Sequence, residues 1–383
     1  MISLSPRAAT ASPRSAYIHV PFCLYRCGYC DFAIITGRDD LVDSYLQAIR
    51  TELSRLQRPR PVETLYFGGG TPTYLEAAQL AELCDVVLQW HPLPPGHEWT
   101  VEANPESLTA DRVEALATRG VTRLSLGAQS LDDAKLKTLD RQHCRDDVLR
   151  SMQMARDAGM QVSIDLIFAA PGEILELWRR DLRDAISLEP DHISTYGLTW
   201  ETGTAFTRRR NQGELRPLDE ELERAMYAEA IDALVAAGFE HYEVSNFARP
   251  GRRSRHNEVY WAGKEYFAAG PGAARYVDGV RETNHRSTTT YLKRVLAGES
   301  PVADREELSD EQRARELLVL GLRRIEGVDR AAFKEATDYE LDELVGSTIA
   351  RFVNMELLSD DGSRVKLTRE GLYVSDALWP DLL

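Results

Sequence analysis

From Ala16 to about Trp200, short strand-like runs alternate with amphipathic helical runs, and this alternation restricts the fold more than any other feature. The strand-like runs are AYIHV, ETLYF, WTVEA, TRLSLG, QVSIDLIF and HISTYGL. Helical stretches such as DLVDSYLQAIRTELSRLQ, EAAQLAELCDVVLQW and EILELWRRDLRDAISLE lie between them. Strand–helix units in series predict a mainly parallel sheet with helices outside it. The strands read as near-continuously apolar, as parallel strands covered on both faces should be. Right-handed crossovers wind such units into a barrel or partial barrel, with its site at the carboxyl ends of the strands. The predicted class is α/β, a partial (β/α)6 barrel over residues 16–200.

Just after the first strand stands YIHVPFCLYRCGYCDF, with Cys23, Cys27 and Cys30 as CxxxCxxC. Three thiolates in so short a run can wrap one inorganic centre, as the cysteine runs of ferredoxins do. With only three ligands, a 4Fe-4S cluster keeps one iron open, much as a catalytic zinc keeps an open position. An open iron can chelate the amino and carboxylate groups of S-adenosylmethionine (SAM) and feed it an electron, the hard chemistry belonging to the cofactor. The motif resembles that of the radical SAM superfamily. Disulfides suit a secreted chain, whereas this one has five cysteines and shows no signal peptide. A zinc site needs a fourth ligand, and nearby His19 reads equally as a core or hydrogen-bonding histidine. Cys84, in an amphipathic helical run, reads as a small buried hydrophobe. Cys144 is given no role.

A formal net charge of −15 argues against broad binding to nucleic acid or anionic membranes. No run of apolar residues is long enough for a transmembrane helix. Residues 1–15, MISLSPRAATASPRS, lack an apolar signal-peptide core and read as a disordered tail. A cytoplasmic location is expected, where thiols stay reduced.

Each further motif follows a predicted strand. Gly68-Gly69-Gly70-Thr71 follows ETLYF, and glycines there let backbone approach a ligand closely. Glu102, at the end of the third strand, suits either a surface ion pair or ribose hydroxyls at a barrel mouth. Gln129 is a strand-end amide, and Arg141 can pair a ligand carboxylate in bidentate fashion. Asp165 sits in the apolar run VSIDLIF, where an acid is costly unless paired or hydrogen-bonded.

Beyond Trp200 the pattern changes. A helix ending at Gly238 precedes a short strand, HYEVSNFA, then a basic flexible loop over residues 251–255 and HNEVYW over residues 256–261. A turn-rich segment follows, with a strand around residues 273–277. The last part, residues 305–383, reads as helices followed by a small hairpin, a winged-helix-like module. It carries no strongly basic recognition helix, so an interaction or lid role is preferred. Residues 201–304 form a β-containing extension carrying HNEVYW.

YIHVPFCLYRCGYCDF, YFGGGTPTYL, VEANPE, LSLGAQS, IDLIFAAPG and HNEVYW together resemble the anaerobic coproporphyrinogen III oxidase family, in its HemW-type haem-chaperone branch. The resemblance runs from Tyr17 through the C-terminal module. It implies that Cys23, Cys27 and Cys30 ligate the cluster. It also implies that Tyr17, Tyr29, Gly69, Gly70, Thr71, Glu102, Gln129, Arg141, Asp165 and Gly197 line the SAM pocket. The oxidase carries a further cysteine two residues after the third, where this chain has Phe32, and a longer N-terminal extension, which this chain lacks. HNEVYW matches the HNxxYW motif that goes with haem binding, which makes His256 a candidate axial or fixing residue. Arginines 252, 253 and 255 are candidate partners for haem propionates. The implied function is a haem chaperone that passes haem to an acceptor protein, with membrane respiratory proteins as the candidate class. The alternative is a radical SAM, oxygen-independent coproporphyrinogen III oxidase.

Overall fold

The computed structural model describes residues 12–383, so most of the predicted tail lies outside the described residues. Six parallel strands form the barrel wall: β1 Ser15–Val20, β2 Thr64–Gly69, β3 Glu98–Ala103, β4 Arg123–Gln129, β5 Gln161–Phe168 and β6 His192–Gly197. They match the six predicted runs, and Ser15 already belongs to β1 rather than to the tail. Helices Val42–Ser54, Ala77–Trp90, Ala110–Ala117, Arg145–Asp157 and Leu175–Ser187 make the return connections.

The strands alternate instead of being apolar throughout, which corrects the sequence expectation. Trp99, Val101 and Ala103 of β3 are buried in the outer core, while Thr100 and Glu102 line an inner cavity. Leu124 and Leu126 of β4 likewise oppose Ser125 and Gly127, and Val162 and Ile164 of β5 oppose Ser163 and Asp165. Successive side chains on a strand point to opposite faces, so this period-two pattern splits wall from lumen. The outer face packs on helices. Trp99, with no exposed surface, meets Phe67 edge-on at 5.3 Å. Burying a large apolar side chain contributes roughly 1.5–3 kcal/mol. The inner face keeps polar groups because the lumen is a chamber rather than the packed core of a closed barrel.

The extension seals both flanks of the open barrel. HYEVSNFA is not one strand: β7 Glu240–Glu243 turns back at Val244 and Ser245 into β8 Asn246–Ala248, which pairs antiparallel with β6. On the far side, β9 Phe267–Ala269 adds parallel to β1. The nine-stranded order is therefore β9-β1-β2-β3-β4-β5-β6-β8-β7. HNEVYW, expected after a flexible loop, is the helix Arg255–Trp261, N-capped by Ser254, whose hydroxyl accepts from the Asn257 N–H at 3.3 Å. A separate antiparallel sheet contains Ala274–Val277, Val280–Asn284 and Val302–Glu307. That last strand belongs to the extension, so the C-terminal module starts after it, at the Ser309 cap of helix Asp310–Leu322.

The module has its own core around Leu318, Phe333, Ile349, Phe352 and Val365. Its wing strands, Leu358–Asp360 and Arg364–Leu367, pair antiparallel as the sequence suggested. The segment Leu372–Asp376, with Leu372 packed against this core, forms one wall of the barrel cavity.

Candidate functional site

A single cavity of about 700 Å³ runs from the cysteine loop through the lumen to the C-terminal module. Of the residues singled out in the sequence, Cys23, Cys27, Cys30, Tyr29, Gly69, Gly70, Thr71, Glu102, Gln129, Arg141, Asp165 and Gly197 all line it. Tyr17 and His256 do not. Strand-end placement brings the first group together, because parallel strands deliver all their carboxyl ends to one rim.

The glycine run fits against the cysteine loop. Gly69 has φ +104°, and an added Cβ would lie 2.3 Å from the His19 ring. A Cβ on Gly70 would lie 2.7 Å from the carbonyl oxygens of Val20 and Phe22. The N–H groups of Gly70 and Thr71 donate to those two carbonyls at 2.8 Å each. The Thr71 hydroxyl accepts from the Asn104 amide at 3.0 Å and lies 3.4 Å from the Cys23 sulfur.

Arg141 spans the same centre. Its Nη1 donates to the Cys27 sulfur at 3.3 Å, and Nη2 donates to Asn104 Oδ1 at 2.8 Å and the Gly127 carbonyl at 3.0 Å. Glu106 lies 3.9 Å from Nη2, accepts from the Tyr25 hydroxyl at 2.8 Å and stands 3.2 Å from His143. Burial alone would raise the Glu106 carboxyl, but His143 and the Arg141 charge outweigh it and hold it at about 2.

Glu102 and Asp165 are the lumen acids. Glu102 accepts from the Tyr66 hydroxyl at 2.8 Å and from the Gly69 N–H at 3.0 Å. Burial pushes it up to about 7, assisted by the Asp165 charge and opposed by those hydrogen bonds. Asp165, with the Ser125 hydroxyl 3.5 Å away, is pushed by burial to about 6. A glutamate so placed keeps lone pairs for ligand hydroxyls while fixing the glycine turn.

His256 occupies a different place. The Thr64 hydroxyl gives its proton to Ser15 at 2.7 Å, so it accepts from the His256 Nδ1–H at 3.0 Å. Nε2 is then the acceptor for the Tyr260 hydroxyl at 2.8 Å. The tautomer follows from this network. His256 is 1% exposed, and its own N–H donates to Glu98 at 2.9 Å. Both ring nitrogens are therefore hydrogen-bonded within the core. The arginines before it are also committed. Arg253 pairs with Glu240 at 2.9 Å, Arg252 with Asp191 at 3.4 Å, and Arg255 donates to the Gly96 carbonyl at 2.8 Å. Tyr17, on β1, stacks on the cavity-lining Tyr66 at 6.1 Å.

The donor set bears on the iron–sulfur reading. Among the described residues no three His, Cys, Asp or Glu side chains form a group that could hold a single metal ion. Three thiols at the rim, two of them already contacted by Arg141 and Thr71, suit a larger cluster whose sulfurs take hydrogen bonds. Burial raises the Cys23 thiol to about 12, so binding iron there displaces a proton.

The Radical SAM superfamily matches residues 17–185, and the HemN C-terminal domain matches residues 308–374. The chain is 35% identical over 372 residues to the heme chaperone HemW of Lactococcus lactis, with 97% of each chain covered. It is 38% identical to the heme chaperone HemW of Mycobacterium tuberculosis, with 97% of this chain and 95% of that one covered. The chain belongs to the HemW family. As a member of the radical SAM superfamily, it falls in a group defined by a 4Fe-4S cluster and SAM. Its fold matches that of the Escherichia coli coproporphyrinogen III oxidase HemN, with TM-score 0.85 at 21% identity over 97% of this chain and 90% of that one.

Several residues at the HemW-family site escaped the sequence reading. Asn104 bridges Thr71 to Arg141 from within the quoted motif VEANPE, two positions after Glu102. Tyr66 holds Glu102 from the run ETLYF. Tyr25 holds the acid behind Arg141. The cavity wall at Leu372–Asp376 carried no local signal, since its place depends on how the module docks.

Proposed function

We propose that the chain is a haem chaperone that holds a SAM-ligated 4Fe-4S cluster and passes bound haem to an acceptor protein. The relationship to HemW proteins over nearly the whole chain carries this reading. Cys23, Cys27 and Cys30 hold the cluster, leaving one iron for the methionine end of SAM. When bound, the pair supplies one-electron chemistry at the rim. Arg141 takes the methionine carboxylate once it leaves Cys27, Gly69 and Gly70 receive the amino group with their backbone, and Glu102 orients ribose. Asp165, Gln129 and Gly197 line the remainder, with Tyr29 beside the cluster.

Haem rests in the part of the cavity between Phe168, Tyr196 and Leu198 of the barrel and Tyr373 and Val374 of the module. Tyr196 and Val374 are each 43% exposed, leaving an apolar surface for a flat macrocycle. The cavity volume falls within the ~300–1,000 Å³ common for ligand sites. His256 serves this function by pinning β2 to the HNEVYW helix. Membrane respiratory proteins are the acceptor class, the cytoplasm the compartment, and nucleic acid is no partner. Among the described residues no helix is long and apolar enough to cross a membrane.

The oxidase reading is favoured by one observation: nine of the ten residues expected to meet SAM, all but Tyr17, line the cavity. Phe32, 59% exposed beside Cys30, opposes it by replacing the oxidase's additional cysteine with an apolar ring. The deciding experiment incubates the reconstituted protein anaerobically with SAM, dithionite and coproporphyrinogen III. No protoporphyrinogen should form; its catalytic appearance would replace the chaperone reading by the oxidase one.

A further inference from the structure

We propose that the aromatic residues between the lumen and HNEVYW form a relay for oxidising equivalents, drawing a stray radical away from the cavity onto the Tyr260–His256 pair. Tyr66 lines the cavity. Its ring stacks on His256 at 5.1 Å, His256 meets Tyr260 edge-on at 5.1 Å, and Tyr260 meets Tyr266 at 4.7 Å. Aromatic contact alone is ordinary packing. The distinguishing feature is that Tyr66 and Tyr260 each have a proton acceptor. Tyr66 donates to Glu102 at 2.8 Å, and Tyr260 donates to His256 Nε2 at 2.8 Å. Both lie within the ~2.6–3.2 Å over which a proton can pass directly. A phenol loses an electron readily only if its proton can leave at the same time. His256 meets that need because Thr64 fixes its proton on Nδ1 and leaves Nε2 free to accept.

The oxidant is a carbon-centred radical formed in the lumen, and the SAM reading supplies it. That radical abstracts the hydrogen atom of the Tyr66 hydroxyl, forming a closed-shell C–H bond and leaving a Tyr66 phenoxyl. Tyr260 then gives an electron to Tyr66, which takes a proton from solvent through Glu102, while the Tyr260 proton moves to Nε2 of His256. The hole rests on a neutral Tyr260 phenoxyl beside an imidazolium, outside the cavity. A chain that handles SAM without a dedicated substrate for its radical gains protection of the cavity wall from such a path.

The test needs no SAM, so failure of the relay and failure of the SAM reading are distinguishable. A ruthenium–bipyridyl photosensitiser is attached to Cys30 in the cluster-free chain carrying Cys144→Ser. Cys23, Cys27 and Cys84 are buried. After flash oxidation with a soluble ruthenium(III) quencher, tyrosyl radical is followed by transient absorption and freeze-trapped EPR. The long-lived radical should vanish in Tyr260→Phe. In Tyr66→Phe it should form about a hundredfold more slowly, the scale on which a positioned proton transfer matters. Glu102→Gln keeps every ring and should slow it similarly, which covers a Tyr66→Phe chain that folds poorly. Equal yield and rate in all three variants would place the radical on Tyr25 or Tyr29 beside the label, and the relay would be overturned.

Discussion

Arg141 and Cys27 are joined by a direct contact of 3.3 Å between guanidinium and sulfur, made deep in the rim where Arg141 is only 8% exposed. The same guanidinium is held by Asn104 and the Gly127 carbonyl. Arg141→Ala should leave cluster content near about four irons per chain, the content of such a cluster. SAM binding should weaken by roughly 1.5–3 kcal/mol, the range for a hydrogen bond to a charged group. Calorimetry on the reconstituted protein checks this, and unchanged affinity would remove Arg141 from the SAM pocket. Cys23→Ala, Cys27→Ala and Cys30→Ala should each abolish the cluster, whereas Cys84→Ala, altering a buried core thiol, should not.

His256 ties strand to helix through two ring hydrogen bonds inside the core. His256→Phe leaves Thr64 and Tyr260 with buried, unmet partners, a loss of about 1–3 kcal/mol for each unsatisfied group. Chemical denaturation of the cluster-free protein should show it at pH 8. The haem Soret spectrum of the folded variant should match that of the wild type. A changed Soret band with an unchanged denaturation midpoint would instead support the axial role.

Burial lowers His256 to about 3, so the folded protein keeps it neutral where the unfolded chain takes up a proton. Its contribution is therefore present above pH 6.5 and is lost as pH falls from there towards 3, at up to about 1.4 kcal/mol per pH unit. His19 and His91, each lowered by burial to about 4, act with the same sign. Glu102 and Asp165 act oppositely: their raised values favour the folded state at low pH and lose that contribution as pH rises through about 7 and 6. The difference between wild type and His256→Phe isolates one group. It should shrink between pH 6.5 and pH 4.5, and a constant difference would contradict a neutral buried imidazole.

The module's cavity-facing segment is held to helix Glu220–Ala236 by Arg369, paired with Asp232 at 2.7 Å, and by Arg224, paired with Glu370 at 2.8 Å. Tyr373 lies between them, accepting from Arg369 at 2.6 Å with Arg224 over its ring at 4.6 Å. Exposed pairs of this kind contribute about 0–1 kcal/mol each. Arg369→Glu should therefore hardly move global stability. Hydrogen exchange should quicken over residues 369–376, since local opening is governed by such contacts. Uniform exchange in the two proteins would mean the segment is fixed by its core alone.

What could be read from the sequence was local. Each barrel strand ends in the residues that carry chemistry, so VEANPE or LSLGAQS announces both element and site. The polar inner face was equally present, in the alternation of Ser163 and Asp165 with Ile164 and Leu166, but a run such as VSIDLIF looks apolar when taken whole. β9 was missed because three residues, FAA, show no periodicity before the turn at Gly270. The place of His256 in the core was not legible for a different reason. Its decisive partner, Thr64, is 192 residues away, and no local pattern reports which strand a helix will meet. The same holds for the module wall at Leu372–Asp376.

Haem transfer is the central claim, and anaerobic titration of haem into the cluster-reconstituted chain tests it most directly. A saturable Soret change is expected, weakened in Tyr196→Asp and Val374→Asp, which place charge on the apolar rim. Adding an excess of a haem-free haem protein should then move the Soret band to that acceptor's position faster than free haem alone does. A featureless, non-saturating titration would contradict the chaperone account.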